Sequence, residues 1–306
     1  MDKSPLTLAR FFLCLSLLGL FLSACGPAEV DSIPVIPPPA PSATPPALPA
    51  ASATAAPTAS PAPAASATAA ACSPVSLESG RVGVGALDKP MEYHVLLPPC
   101  YAQRNELDYP VLYLLHGQNS DQEQWLRLGL AEAVERLMGE GEIPPFLIVL
   151  PFDHSPKQPR EYPFEQVFLE ELIPQIGQDY RVRDSREARA IGGLSRGGAW
   201  AIYLASRHPE VFGLVGAHSP AVFYSNSGTL PVRLRDMPVE QRPFFYVDAG
   251  DKDVDFRTIQ RFTGLLNDLG FPHEWHHNLG FHDEAYWSRN LEEYLRWYGR
   301  QFEARE

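Results

Sequence analysis

A serine with glycines two residues to either side, Gly193-Leu194-Ser195-Arg196-Gly197, is where residue type and spacing in this sequence first specify chemistry. A hydroxyl is a weak nucleophile at neutral pH. To attack a carbonyl it needs a base for its proton and donors for the oxyanion that forms. The β-prone run Glu187 to Ile191 precedes it and the apolar helical run Ala199 to His208 follows. Strand, sharp turn and helix are what the nucleophile-elbow motif requires. The serine at the tip is then held in a strained backbone conformation, and a Cβ two residues away on either side would collide across the turn. The helix N-terminus beneath it favours developing negative charge.

Elbow enzymes carry their partners in the order serine, acid, histidine, on loops at the carboxyl edge of the sheet. The strand-like run Phe244 to Ala249 is followed by Gly250-Asp251-Lys252-Asp253-Val254-Asp255. Asp253 is the preferred acid and Asp251 the alternative, while Asp255 sits where a helix N-cap is useful. Leu279-Gly280-Phe281-His282-Asp283 forms a loop after the last strand, which makes His282 the candidate base. It would take the Ser195 proton while the acid fixes its tautomer. The oxyanion donors expected are the backbone N–H of Arg196 and that of Gln118, with Gly117 as second choice. His116 reads as a loop-shaping residue at a strand end. Trp125, Trp200 and Trp287 are candidates to line an aromatic acyl or sugar site, with core packing the alternative for each.

A second constellation, His273-Glu274-Trp275-His276-His277, matches the zinc-protease pattern H-E-x-x-H. That pattern chelates only on a helix. Here it follows Gly270-Phe271-Pro272 and precedes Gly280, which reads as a strand. Residues four apart on a strand lie roughly 13 Å apart, too far to share one ion, so no metal is expected, and the serine chemistry above needs no organic cofactor.

The elements that must position these groups alternate between strand and helix. Arg81 to Leu87 and Met91 to Leu97 read as an antiparallel pair turning at Asp88-Lys89-Pro90. Pro110 to Gly117 and Phe146 to Leu150 read as strands buried on both faces. Helical spacing marks Leu128 to Met138 and Phe164 to Tyr180, the latter bent at Pro174. The elbow strand and helix come next, then strands at Val211 to Ala217, Phe244 to Ala249 and His273 to Asn278. Helices at Phe256 to Leu269 and Glu284 to Phe302 complete the series. This alternation predicts an α/β class with a mainly parallel central sheet and helices on both faces.

Upstream of that domain the chain changes character. Lys3 and Arg10 precede an apolar run, Phe11 to Leu22, too short for a confident membrane span. It ends in Leu22-Ser23-Ala24-Cys25, which resembles the bacterial lipobox, with ordinary secretion the alternative. Residues 1–24 are therefore expected to be a signal peptide and Cys25 the lipidated new N-terminus. From Gly26 to Ala71 the chain is almost wholly Ala, Pro, Ser and Thr, a composition that stays disordered and acts as a tether. The division expected is 1–24, 25–71 and 72–306, the last a single folded domain outside the cytoplasm on a membrane. Of 4 cysteines, Cys72 and Cys100 belong to that domain. A disulfide between them is expected in an oxidising compartment, two free thiols being the alternative. The net charge of −12 argues against nucleic acid as a partner. Oligomeric state is left open.

Nearly the whole region from about 75 to 300 resembles an esterase branch of the α/β-hydrolases that includes esterase D, feruloyl and acetyl-xylan esterase domains, ferric-enterochelin esterases and mycolyltransferases. The resemblance is carried by Leu96-Leu97-Pro98-Pro99, Tyr109-Pro110-Val111-Leu112-Tyr113-Leu114-Leu115-His116-Gly117, Glu171-Leu172-Ile173-Pro174, Gly193-Leu194-Ser195-Arg196-Gly197-Gly198, and Gly280-Phe281-His282 followed by Trp287. It implies the α/β-hydrolase fold and a serine-dependent carboxylic ester hydrolase acting on a small-molecule or carbohydrate-linked ester through an acyl-enzyme. Acyl transfer, as in mycolyltransferases, and a non-catalytic cell-surface binding module are the alternatives. In the family the acid commonly ends a G-x-x-D, here Gly250-Asp251-Lys252-Asp253, which favours Asp253. Cys100 stands where a glycine is often found, in keeping with a disulfide, and Phe281 stands where small residues are frequent.

Overall fold

Continuous apolar runs become strands covered on both faces, and the centre of this molecule is built from them. The computed structural model describes residues 72–305 apart from 224, 225 and 227. The expected signal peptide, the Cys25 anchor and the Ala/Pro/Ser/Thr segment lie outside the described residues. The strands are β1 (Ser76–Val82), β2 (Met91–Leu97), β3 (Val111–Leu115), β4 (Leu147–Pro151), β5 (Arg189–Leu194), β6 (Leu214–His218), β7 (Phe244–Gly250) and β8 (His273–Asn278). They form one 8-stranded sheet in the order β1-β2-β4-β3-β5-β6-β7-β8. From β4 to β8 every pairing is parallel, whereas β2 runs antiparallel to both β4 and β1.

Two-residue periodicity divides the core into two layers. Val111, Tyr113 and Leu115 of β3 join Leu147 and Val149 of β4 in one cluster. Their neighbours Leu112, Leu114, Ile148 and Leu150 join the other. Short α1 (Gln124–Arg127) and α2 (Leu130–Gly139) follow β3, and α2 buries Leu130, Val134 and Leu137 at helical spacing. After β4 come α3 (Phe164–Val167) and α4 (Ile173–Asp179), then α5 (Arg196–Arg207) behind β5. Next are α6 (Leu230–Asp236), α7 (Phe256–Asp268) and α8 (Glu284–Glu303). Residues of α3, α5, α6 and α7 pack in the first layer, and those of α2 and α8 in the second.

Several elements differ from expectation. The first strand is Ser76–Val82, not Arg81 to Leu87. It is the sheet's edge, with Ser76 to Ser79 exposed, so it carries no apolar alternation; Gly83 and Gly85, at φ 75° and 87°, end it. The helix expected over Phe164 to Tyr180 is interrupted by a π-helical stretch, Phe168–Leu172. Pro174 sits at the start of α4. Lacking an N–H, it removes the i→i−4 bond there, and a wider turn ahead of it accommodates the loss. The helix α6 was not anticipated, and it opens with a proline at Pro231. Cys72 and Cys100 are joined as a disulfide spanning 28 residues.

Candidate active site

The turn from β5 into α5 sets Ser195 at φ 52° and ψ −116°, a backbone conformation that costs a non-glycine residue of order 1–3 kcal/mol. Crowding explains the flanking glycines. A Cβ on Gly193 would lie 2.5 Å from the carbonyl carbon of Gly197, and one on Gly197 would lie 2.3 Å from the Leu115 oxygen. The strained serine is held from below, its N–H donating to the His218 carbonyl at 2.9 Å.

Two other strand ends deliver its partners. His282, in the loop after β8, has Nε2 at 2.8 Å from Ser195 Oγ. Its Nδ1 lies 3.0 Å from each oxygen of Asp253, in the loop after β7. Of the two acids weighed, Asp253 meets the histidine. Asp251 instead accepts the Gly280 N–H at 2.8 Å, while the N–H groups of Asp251 and Lys252 donate to the carbonyls of Asn278 and Gly280. Those three bonds zip the acid loop to the histidine loop. Asp255 occupies the N-cap position of α7 without a side-chain capping bond. Its N–H serves Asp253 Oδ1 at 2.7 Å, so it supports the site through its backbone and the expected side-chain cap is not made.

Burial pushes the Asp253 carboxyl up, but the hydrogen bonds of His282 and the Asp255 N–H, with the Ser219 hydroxyl nearby, hold it below the usual carboxylate range. Burial alone would lower His282; the Asp253 carboxylate overrides this and raises it above the ordinary histidine value. Each shift favours the charged partner of the other, as an aspartate that stabilises an imidazolium requires. Burial raises Asp255, which is the less acidic neighbour.

The candidate oxyanion donors also separate. Arg196 is the first residue of α5, so its N–H has no acceptor within the helix. Gly117 N–H is already engaged, donating to Gln124 Oε1 at 2.8 Å, which removes it as the second-choice donor. Gln118 N–H donates to no protein group among the described residues. Gly117 passes alongside the serine: a Cβ built on it would be 3.7 Å from Ser195 Cβ. A cavity of about 230 Å³ opens beside Arg196, between the loop after β3 and the loop after β4, lined by Gln118, Phe152, His154 and Pro156 among others.

None of the three tryptophans lines that cavity. Trp125 is buried and donates its indole N–H to the Leu115 carbonyl, and Trp200 is buried and donates to Asp153. Trp287 is buried too, packed edge-on against the His282 ring at 5.1 Å between centroids. Large flat side chains on α1, α5 and α8 face the sheet because those helix faces are its cover. The H-E-x-x-H run forms β8, as expected of a strand. His273 Nδ1 pairs with the Phe271 carbonyl, His276 stacks on Tyr246, and His277 lies against Phe256, so the imidazoles do not converge. Among the described residues, Asp253, Asp255 and His282 do place ligand-type atoms within 4.8 Å of one another. There both ring nitrogens of His282 are already committed, to Asp253 and to Ser195.

Three polar groups that the sequence did not single out surround the site. Asp153, two residues beyond β4, receives Arg196 Nε at 2.9 Å, the Trp200 indole and the Tyr162 hydroxyl. Fully buried Asp248 on β7 accepts Tyr286 at 2.5 Å and Tyr294 at 2.8 Å. It also lies 3.3 Å from His218 Nδ1, which ties β6 and β7 to α8 beneath the serine. The signal for Asp153 was positional: an acid at the carboxyl end of a buried strand.

An endo-1,4-beta-xylanase/feruloyl esterase of Xylanibacter ruminicola is 30% identical over 194 residues, 60% of this chain but only 25% of that much longer relative. The structure of a ferulic acid esterase matches with 26% identity and TM-score 0.67, over 74% of this chain and 99% of its own. An S-formylglutathione hydrolase from Staphylococcus aureus shares the fold at 18% identity and TM-score 0.62, over 74% of this chain and 96% of its own. The sheet order, the helices on both faces and these neighbours identify the α/β-hydrolase fold. The family model described as "Putative esterase" matches residues 85–298, well over half the sequence, and the chain belongs to that esterase family.

Proposed function

We propose that this chain is a serine-dependent carboxylic ester hydrolase working through Ser195, His282 and Asp253. The observation that carries the reading is the unbroken hydrogen-bonded line from Ser195 Oγ through His282 to Asp253. In the reaction Ser195 Oγ attacks the ester carbonyl while its proton passes to His282 Nε2. The N–H groups of Arg196 and Gln118 hold the tetrahedral oxyanion. His282 then returns the proton to the leaving alcohol, and the acyl-enzyme is opened by a water that His282 deprotonates in turn. Asp253 stays ionised throughout and stabilises the imidazolium.

The similarity to feruloyl esterases supports an aromatic-acid ester on a carbohydrate as the substrate class. A fluorophosphonate probe should label the folded protein and fail to label Ser195→Ala, and that substitution should lower kcat by about 10⁶-fold. Equal labelling of the two proteins would sink the reading. In a panel of feruloyl, acetyl-sugar and siderophore esters, the feruloyl ester is expected to give the highest kcat/KM. A higher value for either of the others would reassign the substrate.

We further propose that the domain works outside the cytoplasm, held to a membrane by lipidated Cys25. The Cys72–Cys100 disulfide supports an oxidising compartment. Metabolic labelling with an alkyne fatty acid should tag the wild-type chain and not Cys25→Ala; an untagged wild type would refute the anchor.

A further inference from the structure

Arg196 was singled out for its backbone N–H, yet its side chain is one of the most heavily bonded in the molecule. It is 5% exposed, and its partner Asp153 is 8% exposed. Besides Asp153, the guanidinium reaches the carbonyls of Ser155 at 2.8 Å and Lys157 at 2.7 Å. Its charge is spent inside the protein, so it has little left to offer a substrate. What it fixes is the loop after β4, and with it the backbone of Asp153.

That backbone leads to the oxyanion loop. Asp153 N–H donates to His116 Nε2 at 2.9 Å. A nitrogen that accepts carries no proton, so the proton of the neutral ring is on Nδ1. His116 Nδ1 lies 2.7 Å from the Gly117 carbonyl oxygen and donates to it. His116 is 4% exposed, and burial lowers its pKa despite that carbonyl, keeping the ring neutral. The Gly117 carbonyl and the Gln118 N–H belong to one peptide unit. In a planar trans peptide these two groups point in opposite directions. A donor that holds the carbonyl on one side therefore turns the N–H to the other. Gly117 N–H, in the preceding peptide unit, is itself tied to Gln124 Oε1, which fixes the chain where it enters the Gly117–Gln118 peptide.

We propose that His116, locked by the buried Arg196–Asp153 pair, is a positioning residue that sets the Gly117–Gln118 peptide with its N–H towards the oxyanion, so that the two donors are held as one unit. The residue after the nucleophile thus gives one donor through its backbone and orients the other through its side chain. The inference rests on the ester-hydrolase reading of Ser195.

Two amides of similar polarity separate this role from simple packing. The side-chain nitrogen of asparagine can take the place of His116 Nδ1, and that of glutamine the place of Nε2. His116→Asn should keep kcat within about tenfold of wild type, whereas His116→Gln should lose about 10²-fold, the size expected for an oxyanion donor put out of place. The loss should fall on kcat with KM nearly unchanged, since the donor acts on the transition state. A trifluoromethyl ketone, whose adduct puts an oxyanion in the same pocket, should weaken by the same factor as kcat/KM. Arg196→Lys keeps a charge but cannot span Asp153 and the two carbonyls. It should lower kcat in the same way, and add nothing further to His116→Gln. Equal losses in the two amide variants, or a loss confined to KM, would overturn the proposal. So would fully additive effects of Arg196→Lys and His116→Gln. If the esterase reading itself were wrong, fluorophosphonate labelling of the wild-type protein would already show no dependence on Ser195, which keeps the two failures apart.

Discussion

Asp253 takes hydrogen bonds from His282 and from the Asp255 N–H, and this pair governs how activity responds to pH. His282 must be neutral to act as base, and its pKa lies above the ordinary histidine value. The acid limb of kcat/KM is therefore expected above about pH 6.5, rising as His282 loses its proton. Asp253→Asn should lower kcat by about 10⁴-fold and shift that limb to lower pH, because burial, opposed then only by the lesser charges of Asp255 and Asp283, favours the neutral ring. A pH–rate profile of both proteins checks this, and an unmoved limb would contradict it. Linkage gives the stability side. The raised His282 contributes stability that is complete below its unfolded pKa and is lost as pH rises through the folded one. The depressed Asp253 contributes above its unfolded pKa and is lost as pH falls through the folded one. Ser195, Asp253 and His282 were legible in the sequence because motif and chain order constrain them. The side-chain roles of Arg196 and Asp153 were not, since a buried ion pair between residues 43 apart leaves no periodic trace.

Elements are joined by groups of the same kind. Glu165 on α3 accepts Arg207 Nε at 2.6 Å and His208 Nε2 at 2.7 Å at the end of α5. Burial would raise its carboxyl, but His208 and Arg207 bring it down to about 2. The contribution is full above the ordinary carboxylate value of about 4.3 and is lost as pH falls from there to about 2. Glu165→Gln should cost about 1–3 kcal/mol at neutral pH, and the difference from wild type should close in acid; urea titrations at pH 7 and pH 3 would show it. A difference of the same size at both pH values would argue against the pairing. The inner strands were readable because burial on both faces writes unbroken apolar runs, as in Val111 to Leu115. The edge strand Ser76–Val82 was not, because exposed residues on a sheet's rim need no pattern. The π-helical stretch Phe168–Leu172 escaped for another reason: apolar spacing reports which face is buried, and not which hydrogen-bond register the backbone uses.

At the scale of the molecule, the two ends of the sheet have separate tasks. Ser195, Asp253 and His282 all lie at the carboxyl ends of the parallel strands. Because β2 runs antiparallel to β4, the Cys72–Cys100 bridge beyond the end of β2 falls at the opposite rim. Converting both cysteines to serine should lower stability by about 2–4 kcal/mol and leave kcat of the folded enzyme unchanged; thermal melts with parallel assays measure both. A fall in kcat below the melting range would show the two rims to be coupled. The far side of the sheet raises a matter of solubility. Among the described residues β8 pairs only with β7, so its outer backbone groups offer a template to any passing strand. Its residues, His273-Glu274-Trp275-His276-His277-Asn278, are polar or ionisable at five of six positions. A row of this kind gives an incoming apolar strand nothing to pack against and a charge to desolvate. The residues that imitate a zinc signature thus make the outer edge of β8 a poor template for an added apolar strand, where a valine-rich edge would invite one.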